Sequence, residues 1–530
     1  MWSLGGLLLF TLCAIPLYTI GRYLSDKKKL RRFPAPSIAA FTPLWIMYYS
    51  WKKQRRVAVD AAHQKYGEVV RIAPNHISFT NPDAYKDIYG FGSTALKDEF
   101  YAHQASGNPS MAETTSKADH SRKRRSMANV FSAKEIGAME PRIAQLTQTL
   151  LRDLKLKSEG KSIGSGDVYK VVDGTFDLRP WLNMFSYDAI TAMLFSNSYG
   201  FLDKGNDLCS ARTPEGTIKH VHAMDTFQTG AGFSVLFAHL PLFFYNLGRQ
   251  IFKHSYAQQC GPNFASMARY MVNERVTNPP NEPDLSTSVL EPPASRGAPM
   301  PLTEYTAECA TMMNAGNDTT QISLTNCLYQ LASHPMIQEK LYTALVEGLP
   351  SRKSDPVASY AELQQIPYLR AVLDESFRCR TPVAFGLPRR TVGDGATIAG
   401  YYIPPDVTVS SPISAIHENA TLFTDPKSFV PERWLTDDST YSSTPNFKQY
   451  EAEKLNLKNY CIPFSVGGRA CIGRNLAYMD LSIVVAALVL GFKWDLVKER
   501  HPNGLEIVEK FNSYNKELIV RANAREGVKF

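Results

Sequence analysis

A single cysteine in a glycine-bounded turn near the C-terminus constrains this chain more than any other feature. The segment from Phe464 to Gly473 has the pattern F-x-x-G-x-R-x-C-x-G, with Cys471 as its cysteine, and an apolar helical stretch follows directly. A thiolate held in such a turn can be the axial ligand of a haem iron, where its electron-rich sulfur favours O–O cleavage. Backbone N–H groups at the start of the following helix can stabilise the negative sulfur. The segment therefore predicts a haem-thiolate centre.

The other fixed positions of this turn each have a physical reason. Gly467 and Gly473 permit backbone geometry and close approach that a Cβ would forbid. Phe464 is expected to shield the thiolate from water, and Arg469 offers a cation for a haem propionate. The pattern resembles the haem-thiolate signature of the cytochrome P450 family. The alternative, a buried structural thiol, fits an arbitrary cysteine better, but three further motifs favour haem.

Length and composition are those of an ordinary globular protein. The chain has 530 residues, 44% of them hydrophobic, and a net charge of +8. That charge suits an anionic membrane face or an acidic partner and is too weak to indicate nucleic-acid binding. Eight cysteines are scattered without C-x-x-C pairs, so neither a disulfide framework nor a zinc site is predicted. A reduced, cytosol-facing catalytic domain fits best.

The N-terminus reads as a membrane anchor. Trp2 to Ile20 is an uncharged apolar run of 19 residues, which spans about 28 Å as a helix. The basic cluster Lys27 to Arg32 follows it, so the body is expected on the cytosolic side. A cleaved signal peptide is the alternative, but it carries its basic residues before the apolar core. We expect a transmembrane signal anchor over residues 1–21, a basic, proline-containing linker and first helix over 22–50, and the catalytic domain over 51–530.

The remaining pattern predicts a mainly α fold with a small β region. A β-hairpin is expected between Tyr66 and Phe79, and short strands between Pro388 and Pro404. Helical periodicity dominates residues 119–154 and 181–194, and a long helix is expected over 303–333, where His334-Pro335 ends it. The proline-rich residues 278–301 are interpreted as a surface loop within one domain. By its resemblance the chain has the P450 fold as a single catalytic domain.

A polar interruption within the predicted long helix points to oxygen chemistry. Ala315-Gly316-Asn317-Asp318-Thr319-Thr320 places glycine and Asp-Thr where they weaken a helix. The segment resembles the P450 oxygen-activation motif A-G-x-D-T-T. The resemblance implies that Ala315 and Gly316 admit haem and O₂ to the backbone, that Thr319 hydrogen-bonds the oxygen ligand, and that Asp318 relays protons. A simple kink, with Thr319 bonded to a preceding carbonyl, is compatible with this role.

A second pair of motifs predicts structural support for the haem pocket. Glu375 and Arg378 stand at i, i+3 on one helix face and resemble the E-x-x-R motif of the family. Arg433, in Pro431-Glu432-Arg433-Trp434, stands where the family supplies a second arginine to this pair. The resemblance implies a buried cluster of Glu375, Arg378 and Arg433 that supports the pocket without acting in catalysis.

Further basic residues are candidates for haem propionates. His120 and Arg124 lie at i, i+4 and resemble the family's W/H-x-x-x-R pair, although many members carry tryptophan where His120 stands. Arg389 is preferred over Arg390 as another propionate contact. Arg122, Lys123 and Arg125 are expected on other faces of the helix, toward an acidic reductase surface.

The resemblance is to filamentous-fungal microsomal P450s, including a benzoate 4-hydroxylase-like group. It implies haem b, electrons from NADPH through a separate cytochrome P450 reductase with cytochrome b5 as a further donor, and a single-pass endoplasmic reticulum protein. The expected reaction is hydroxylation of a hydrophobic substrate, preferably an aromatic or polyketide-type secondary metabolite. Alternatives are hydroxylation of a benzoate-type aromatic acid, phenol coupling or rearrangement. A non-enzymatic haem sensor fits less well, because it needs neither Asp318-Thr319 nor a basic docking face.

Overall fold

The computed structural model describes residues 19–104, 108–164, 166–292, 298–352, 354–435 and 447–530. The predicted membrane anchor therefore lies almost entirely outside the described residues. Within them, the predicted mainly α architecture with small sheets is confirmed.

Helices make up most of the described chain. In chain order they are α1 Leu44–Trp51, α2 Arg55–Tyr66, α3 Pro82–Tyr89, α4 Glu99–Ala102, α5 Lys117–Met127, α6 Ala133–Gly137, α7 Glu140–Ser158, α8 Arg179–Phe195, α9 Phe201–Lys204, α10 Ala223–Phe237, α11 Leu242–Ile251, α12 Tyr256–Thr277, α13 Thr287–Leu290, α14 Leu302–Ser333, α15 Pro335–Gly348, α16 Tyr360–Leu363, α17 Pro367–Cys379, α18 Ile413–His417, α19 Phe447–Tyr460 and α20 Arg474–Gly491.

The strands are short and form five small sheets in the described structure. They are β1 Val69–Ala73, β2 His76–Phe79, β3 Leu96–Lys97, β4 Phe176–Asp177, β5 Leu208–Arg212, β6 Ile218–His222, β7 Arg389–Arg390, β8 Ala396–Ile398, β9 Tyr401–Ile403, β10 Thr408–Ser410, β11 Phe492–Leu496, β12 Ile507–Glu509, β13 Ser513–Asn515 and β14 Ile519–Ala524. The largest sheet has the order β1-β2-β10-β7-β3. Its β1–β2 hairpin, which turns at Pro74-Asn75, confirms the hairpin predicted between Tyr66 and Phe79.

The long helix α14 forms the centre of the molecule. It begins after Pro301 and ends at His334, because Pro335 disfavours helical geometry in the preceding residue. The predicted boundaries are confirmed to within one residue. The helix packs against α8, α12 and α20, and most residues from Asn317 to Ala332 are buried. The oxygen-motif segment is thus held rigidly inside the protein.

The helix that follows Cys471 is a core element. Helix α20 is the one helix among the described residues that is long and apolar enough to cross a membrane, but 83% of that stretch is buried inside the protein. It packs against α7, α14 and α15. Burial on all sides explains its continuous apolar sequence, and its first turn lies directly after the cysteine loop.

Part of the predicted linker is fastened to the sheet. Leu30 and Phe33 are buried in a cluster with Ile77 and Val409. Lys28 Nζ donates to the carbonyl oxygen of Asp406 over 2.6 Å. The ring of Tyr23 already lies 4.3 Å from that of Phe41, so the described part of the predicted linker is packed on the folded body.

Candidate active site

A cavity of about 520 Å³ lies between helix α14 and the loop that carries Cys471. The oxygen-motif segment and the cysteine loop, which are far apart in sequence, both line this cavity. Ten of the residues predicted from sequence line its wall: His120, Arg124, Ala315, Gly316, Thr319, Arg389, Phe464, Arg469, Cys471 and Gly473.

Cys471 presents its sulfur to this cavity. Its backbone N–H donates to the carbonyl oxygen of Phe464 over 2.9 Å, which closes the turn around the short 3₁₀ segment Gly467–Arg469. Cys471 is exposed because it faces the cavity. The surrounding protein nevertheless keeps its thiol away from bulk water, and this burial raises the pKa of the thiol. A backbone hydrogen bond from Gly473 and the charge of Arg124 act in the opposite direction. These groups stabilise a thiolate once a metal draws off its proton.

The two glycines of the turn have different roles. Gly467 has φ +76°, and an added Cβ would lie 2.1 Å from the carbonyl oxygen of Tyr89, so glycine is required there. The same argument is wrong for Gly473, which has φ −82°. A Cβ there would meet no atom closer than 3.9 Å and would stand 4.0 Å from the Cys471 sulfur. Gly473 instead leaves space beside the sulfur.

Four cationic side chains, Lys97, Arg124, Arg389 and Arg469, face the imidazole of His120 in the cavity wall. Burial and the neighbouring arginines lower the pKa of His120 to about 4. Burial and Arg389 lower the pKa of Arg469 to about 10. Glu113 is the one carboxylate in the described structure whose charge acts appreciably on Lys97. Positive charge concentrated in this way is destabilising unless an anion is bound among it.

Hydrogen bonds fix the direction of these cations. Arg124 Nη1 donates to the carbonyl oxygen of Ala470 over 2.8 Å, and Arg469 Nη1 donates to that of Thr114 over 3.1 Å. Arg389 is buried and reaches the Tyr101 hydroxyl over 3.3 Å. Arg390 instead pairs with Glu99, away from the cavity.

The cavity wall fits a dianionic iron porphyrin. It combines a sulfur ligand, open space beside that sulfur at Gly473, and a cluster in which Lys97, Arg124, Arg389 and Arg469 outnumber the carboxylate of Glu113. Carboxylate propionates would neutralise the cluster through charge-assisted hydrogen bonds. The cations would hold the propionates and Cys471 would ligate the iron.

The oxygen-motif segment forms the opposite wall. Thr319 Oγ1 donates to the carbonyl oxygen of Ala315 over 2.7 Å, within a helix that stays unbroken from Leu302 to Ser333. An added Cβ at Gly316 would lie 2.8 Å from the side chain of Ile190. Gly316 therefore permits the close packing of α14 on α8, and it lines the cavity at the same time.

Asp318 lies behind this wall. It is fully buried and is absent from the cavity lining. Its Oδ2 accepts hydrogen bonds from Asn512 Nδ2, over 3.0 Å, and from the Tyr514 hydroxyl. Burial raises the pKa of Asp318 to about 7, and the two hydrogen bonds oppose that rise. The carboxyl can therefore both hold and release a proton near neutral pH.

The predicted structural cluster is assembled by five hydrogen bonds from nitrogen atoms to Glu375. Arg378 binds both carboxylate oxygens over 2.9 and 2.8 Å, and Arg433 Nε binds Oε1 over 3.0 Å. Trp434 Nε1 and the Val430 amide complete the set over 2.9 and 3.0 Å. The Glu375, Arg378 and Arg433 side chains are all 0% exposed, and the cluster does not line the cavity.

The expectation that Lys123 faces a reductase is wrong. Its side chain is 3% exposed and its Nζ lies 3.0 Å from Glu304 and 3.1 Å from Glu308. Glu308 also accepts the Met111 amide over 2.7 Å. Arg122 pairs with Glu304 over 2.6 Å, whereas Arg125 is exposed. These ion pairs fasten α5 and the segment before it to α14.

Sequence reasoning missed Lys97, Glu308, Asn512 and Tyr514. Each reaches the site through a contact between residues far apart in sequence, and none belongs to a recognisable spacing pattern. A lone lysine or asparagine carries no local signal of such a role, so only the fold identifies them.

The comparisons with known proteins agree with this geometry. The family model "Cytochrome P450" matches residues 36–516, and the chain belongs to the cytochrome P450 family. It is 32% identical to the benzoate 4-monooxygenase bphA of Aspergillus niger, over 94% of this chain and 95% of that protein. It is 30% identical to the cytochrome P450 monooxygenase btcC of Neocamarosporium betae, over 89% and 88%, and 29% identical to traB of Penicillium crustosum, over 93% and 91%. The protein is an enzyme of the P450 monooxygenase class.

Proposed function

We propose that the protein uses O₂ and NADPH-derived electrons to hydroxylate a hydrophobic substrate, of aromatic or polyketide type. The observation that carries this proposal is the composition of the cavity wall. Besides the cluster of Lys97, Arg124, Arg389 and Arg469, the wall is lined by the aromatic side chains Phe227, Phe233, Phe264 and Phe511. Apolar, aromatic surfaces select a substrate by shape and burial.

When bound, haem b would supply the activation of dioxygen. The protein's own residues would bind and orient it. Arg124, Arg389 and Arg469 would hold the propionates, and Thr319 keeps lone pairs on its hydroxyl oxygen for a proton or water in the cavity. Asp318 holds a proton behind the wall. The buried cluster around Glu375 holds α17 against the segment Pro431–Trp434.

A benzoate-type acid is the second candidate substrate. Arg249, on α11, lines the cavity apart from the propionate-binding cations and could bind a carboxylate. The Aspergillus niger relative is named a benzoate 4-monooxygenase. Under this alternative, Arg249→Gln weakens the binding of benzoate and leaves that of a neutral aromatic ester unchanged, as measured by substrate-induced haem spectra.

The electrons are proposed to come from NADPH–cytochrome P450 reductase, with cytochrome b5 as a further donor. Arg125 and Arg474 are exposed, and their neighbours Arg124 and Cys471 lie at the thiolate side of the cavity. A basic surface there complements an acidic redox partner. Arg125→Glu should raise the reductase concentration needed for half-maximal NADPH oxidation.

We also propose a single-pass endoplasmic reticulum membrane location with the catalytic domain in the cytosol. Besides the apolar N-terminus, helix α11 supports this, because Phe243 is 72% and Ile251 66% exposed. On α1, Trp51 is 64% exposed, and α10 packs against α1. Exposed apolar side chains of this kind enter a lipid interface.

The test of the proposed function begins with the thiolate. Full-length protein should show the reduced carbon monoxide spectrum of thiolate ligation, and Cys471→Ala should abolish it. Cys461→Ala, a cysteine of the same loop region, is the matched control and should retain it. With reductase and NADPH, candidate aromatic polyketides should yield hydroxylated products. Coupled dimers or isomers would favour phenol coupling or rearrangement, and activity in Cys471→Ala would refute the proposal.

A further inference from the structure

The carboxyl group of Asp318 is held by the β12–β13 hairpin, outside the oxygen-activation motif. Asn512 and Tyr514 both donate to Oδ2, and Asp318, Asn512 and Tyr514 are 0%, 5% and 2% exposed. Strand β13 packs directly on α14. Both hydrogen bonds that Oδ2 of Asp318 accepts therefore come from the hairpin.

The other oxygen is left for the proton. Asp318 Oδ1 is buried and has no hydrogen-bond partner in the described structure. Because Oδ2 already accepts two hydrogen bonds, the proton of the neutral acid resides on Oδ1. Burial raises the pKa of Asp318 to about 7, while Tyr514, Asn512, Lys510 and Arg179 oppose the rise. Both protonation states are thus populated near neutral pH.

The charge of Lys510 acts on this carboxyl group, and Lys510 is itself accessible to solvent. Its Nζ lies 5.3 Å from the centre of the Tyr514 ring and donates to Gln228 Oε1 over 3.3 Å. The side chain is only half-buried, so solvent reaches it. Burial and the charge of Lys53 lower the pKa of Lys510 to about 8, and the charge of Asp318 raises it. Lys510 therefore exchanges protons with water in the same pH range.

The same hairpin also reaches the cavity. Asn512 lines the cavity wall, as does Thr319, the residue next to Asp318. From α8, Arg179 and Tyr187 act electrostatically on the same carboxyl group. Asn512 thus touches both the cavity and the buried acid.

We propose that Lys510, Tyr514 and Asn512 are positioning residues that hold Asp318 as the proton donor of the cavity. Asp318 Oδ1 gives its proton to a water that enters from the cavity beside Asn512, and Asp318 becomes a carboxylate whose Oδ2 stays hydrogen-bonded to Asn512 and Tyr514. A proton taken up from solvent on the Lys510 side then restores the neutral acid. This inference rests on the proposed monooxygenase function and assigns its proton supply to the C-terminal hairpin.

The first test measures the proton affinity of Asp318 directly. In haem-loaded, full-length protein, the carboxyl band that disappears in Asp318→Asn is titrated by infrared difference spectroscopy. Lys510→Met and Tyr514→Phe should each raise the midpoint by about one pH unit, and Lys510→Arg should restore it. Lys516→Met, at an exposed position following the same hairpin, is the matched control and should leave the midpoint unchanged. An unchanged midpoint in both Lys510→Met and Tyr514→Phe would overturn the proposal.

The second test follows proton supply without a substrate. With reductase and NADPH, Tyr514→Phe should lower the rate of NADPH oxidation and enlarge its solvent deuterium isotope effect, and Lys516→Met should change neither. If Tyr514→Phe fails to fold, the same measurements on Lys510→Met test the inference. The Lys510 side chain is half-buried, so its replacement leaves no new cavity in the core. A wild type without a thiolate spectrum or NADPH oxidation refutes the proposed function. A competent wild type with unresponsive hairpin variants refutes only this inference.

Discussion

At the scale of single residues, the cavity shows how charge and hydrogen bonding are arranged around one sulfur. Cys471 is surrounded by a turn that donates a backbone hydrogen bond and by an arginine, which together favour the thiolate. On the opposite wall, Thr319 donates its hydroxyl proton to Ala315 and keeps its oxygen available. The sequence motif predicts these two residues because their spacing is local.

Replacement of Thr319 by alanine should separate NADPH consumption from product formation. The hydroxyl oxygen is the polar atom that this residue offers to the cavity, so without it proton transfer there loses its acceptor. Product formed per NADPH should fall by about tenfold or more, with a matching rise in hydrogen peroxide. Thr306→Ala removes an identical hydroxyl-to-carbonyl bond of 2.7 Å elsewhere on α14 and should leave the ratio unchanged. Equal ratios in both variants would contradict the role of Thr319.

A buried acid in α20 predicts a pH-dependent stability. Asp480 is 4% exposed, and burial alone raises its pKa to about 8. Between about pH 4 and pH 8 the folded state binds more protons than the unfolded state at this group. The free energy of unfolding therefore falls as pH rises, and the penalty is complete above about pH 8.

Asp480→Asn should remove this dependence. In urea unfolding of the haem-loaded protein, the free energy of unfolding of the variant should rise relative to that of wild type as the pH is raised. The rise from pH 4 to pH 8 should be on the order of 3–5 kcal/mol. Asp495→Asn, which changes an exposed carboxylate of β11, is the control and should give parallel curves. A gain at pH 4 as large as that at pH 8 would exclude titration as its cause.

At the scale of elements, a network of hydrogen bonds fixes how helices and loops are joined. Glu375 on α17 binds Arg433 and Trp434 of the segment Pro431–Trp434, and Arg433 continues to Glu453 on α19 over 3.0 Å. The motif predicted the first three members. Trp434 and Glu453 were not predicted as members, because their contacts depend on the path of the chain between α18 and α19.

Glu375→Leu should take from the two buried guanidinium groups of Arg378 and Arg433 the carboxylate that they share. The loss of the common partner should reduce the free energy of unfolding by about 3–5 kcal/mol, together with the haem content after purification. Glu506→Gln, which removes an exposed ion pair with Lys516, should cost less than about 1 kcal/mol. Urea titration followed by tryptophan fluorescence measures both. A similar loss in the two variants would contradict the structural role of the cluster.

The hairpin β12–β13 shows where sequence reasoning ends at this scale. The boundaries of α14 and the turn of β1–β2 were predicted because proline and periodicity act locally. The contact between Asp318 and Asn512 joins positions 318 and 512, and no pattern within either segment indicates it. Long-range pairing of this kind depends on the packed fold, so the buried side of the oxygen motif was not predictable.

At the scale of the whole molecule, the segment that follows the proposed anchor is part of the folded body. Leu30 is 2% and Phe33 5% exposed, and both pack in the cluster beneath the largest sheet. The basic residues and prolines of this segment predicted a linker, because both are common in linkers. The burial of Leu30 and Phe33 instead holds the segment on the body.

Two truncations should therefore behave differently. Deletion of residues 2–21 should reduce membrane association and leave the free energy of unfolding unchanged. Deletion of residues 2–33 should also lower the free energy of unfolding by about 3–5 kcal/mol, because two buried side chains are lost. Membrane flotation and urea unfolding measure the two effects. Equal stability of the two truncated proteins would show that Leu30 and Phe33 contribute little.

The attachment of Lys28 to the sheet has a consequence for how the enzyme meets its substrate. If residues 1–21 lie in the bilayer as proposed, only residues 22–27 separate the lipid from the sheet, a reach of at most about 20 Å. Such a short tether prevents the body from rotating freely above the membrane. Every copy of the protein then faces the lipid with the same surface, and a hydrophobic compound dissolved in the bilayer always reaches the protein from that side.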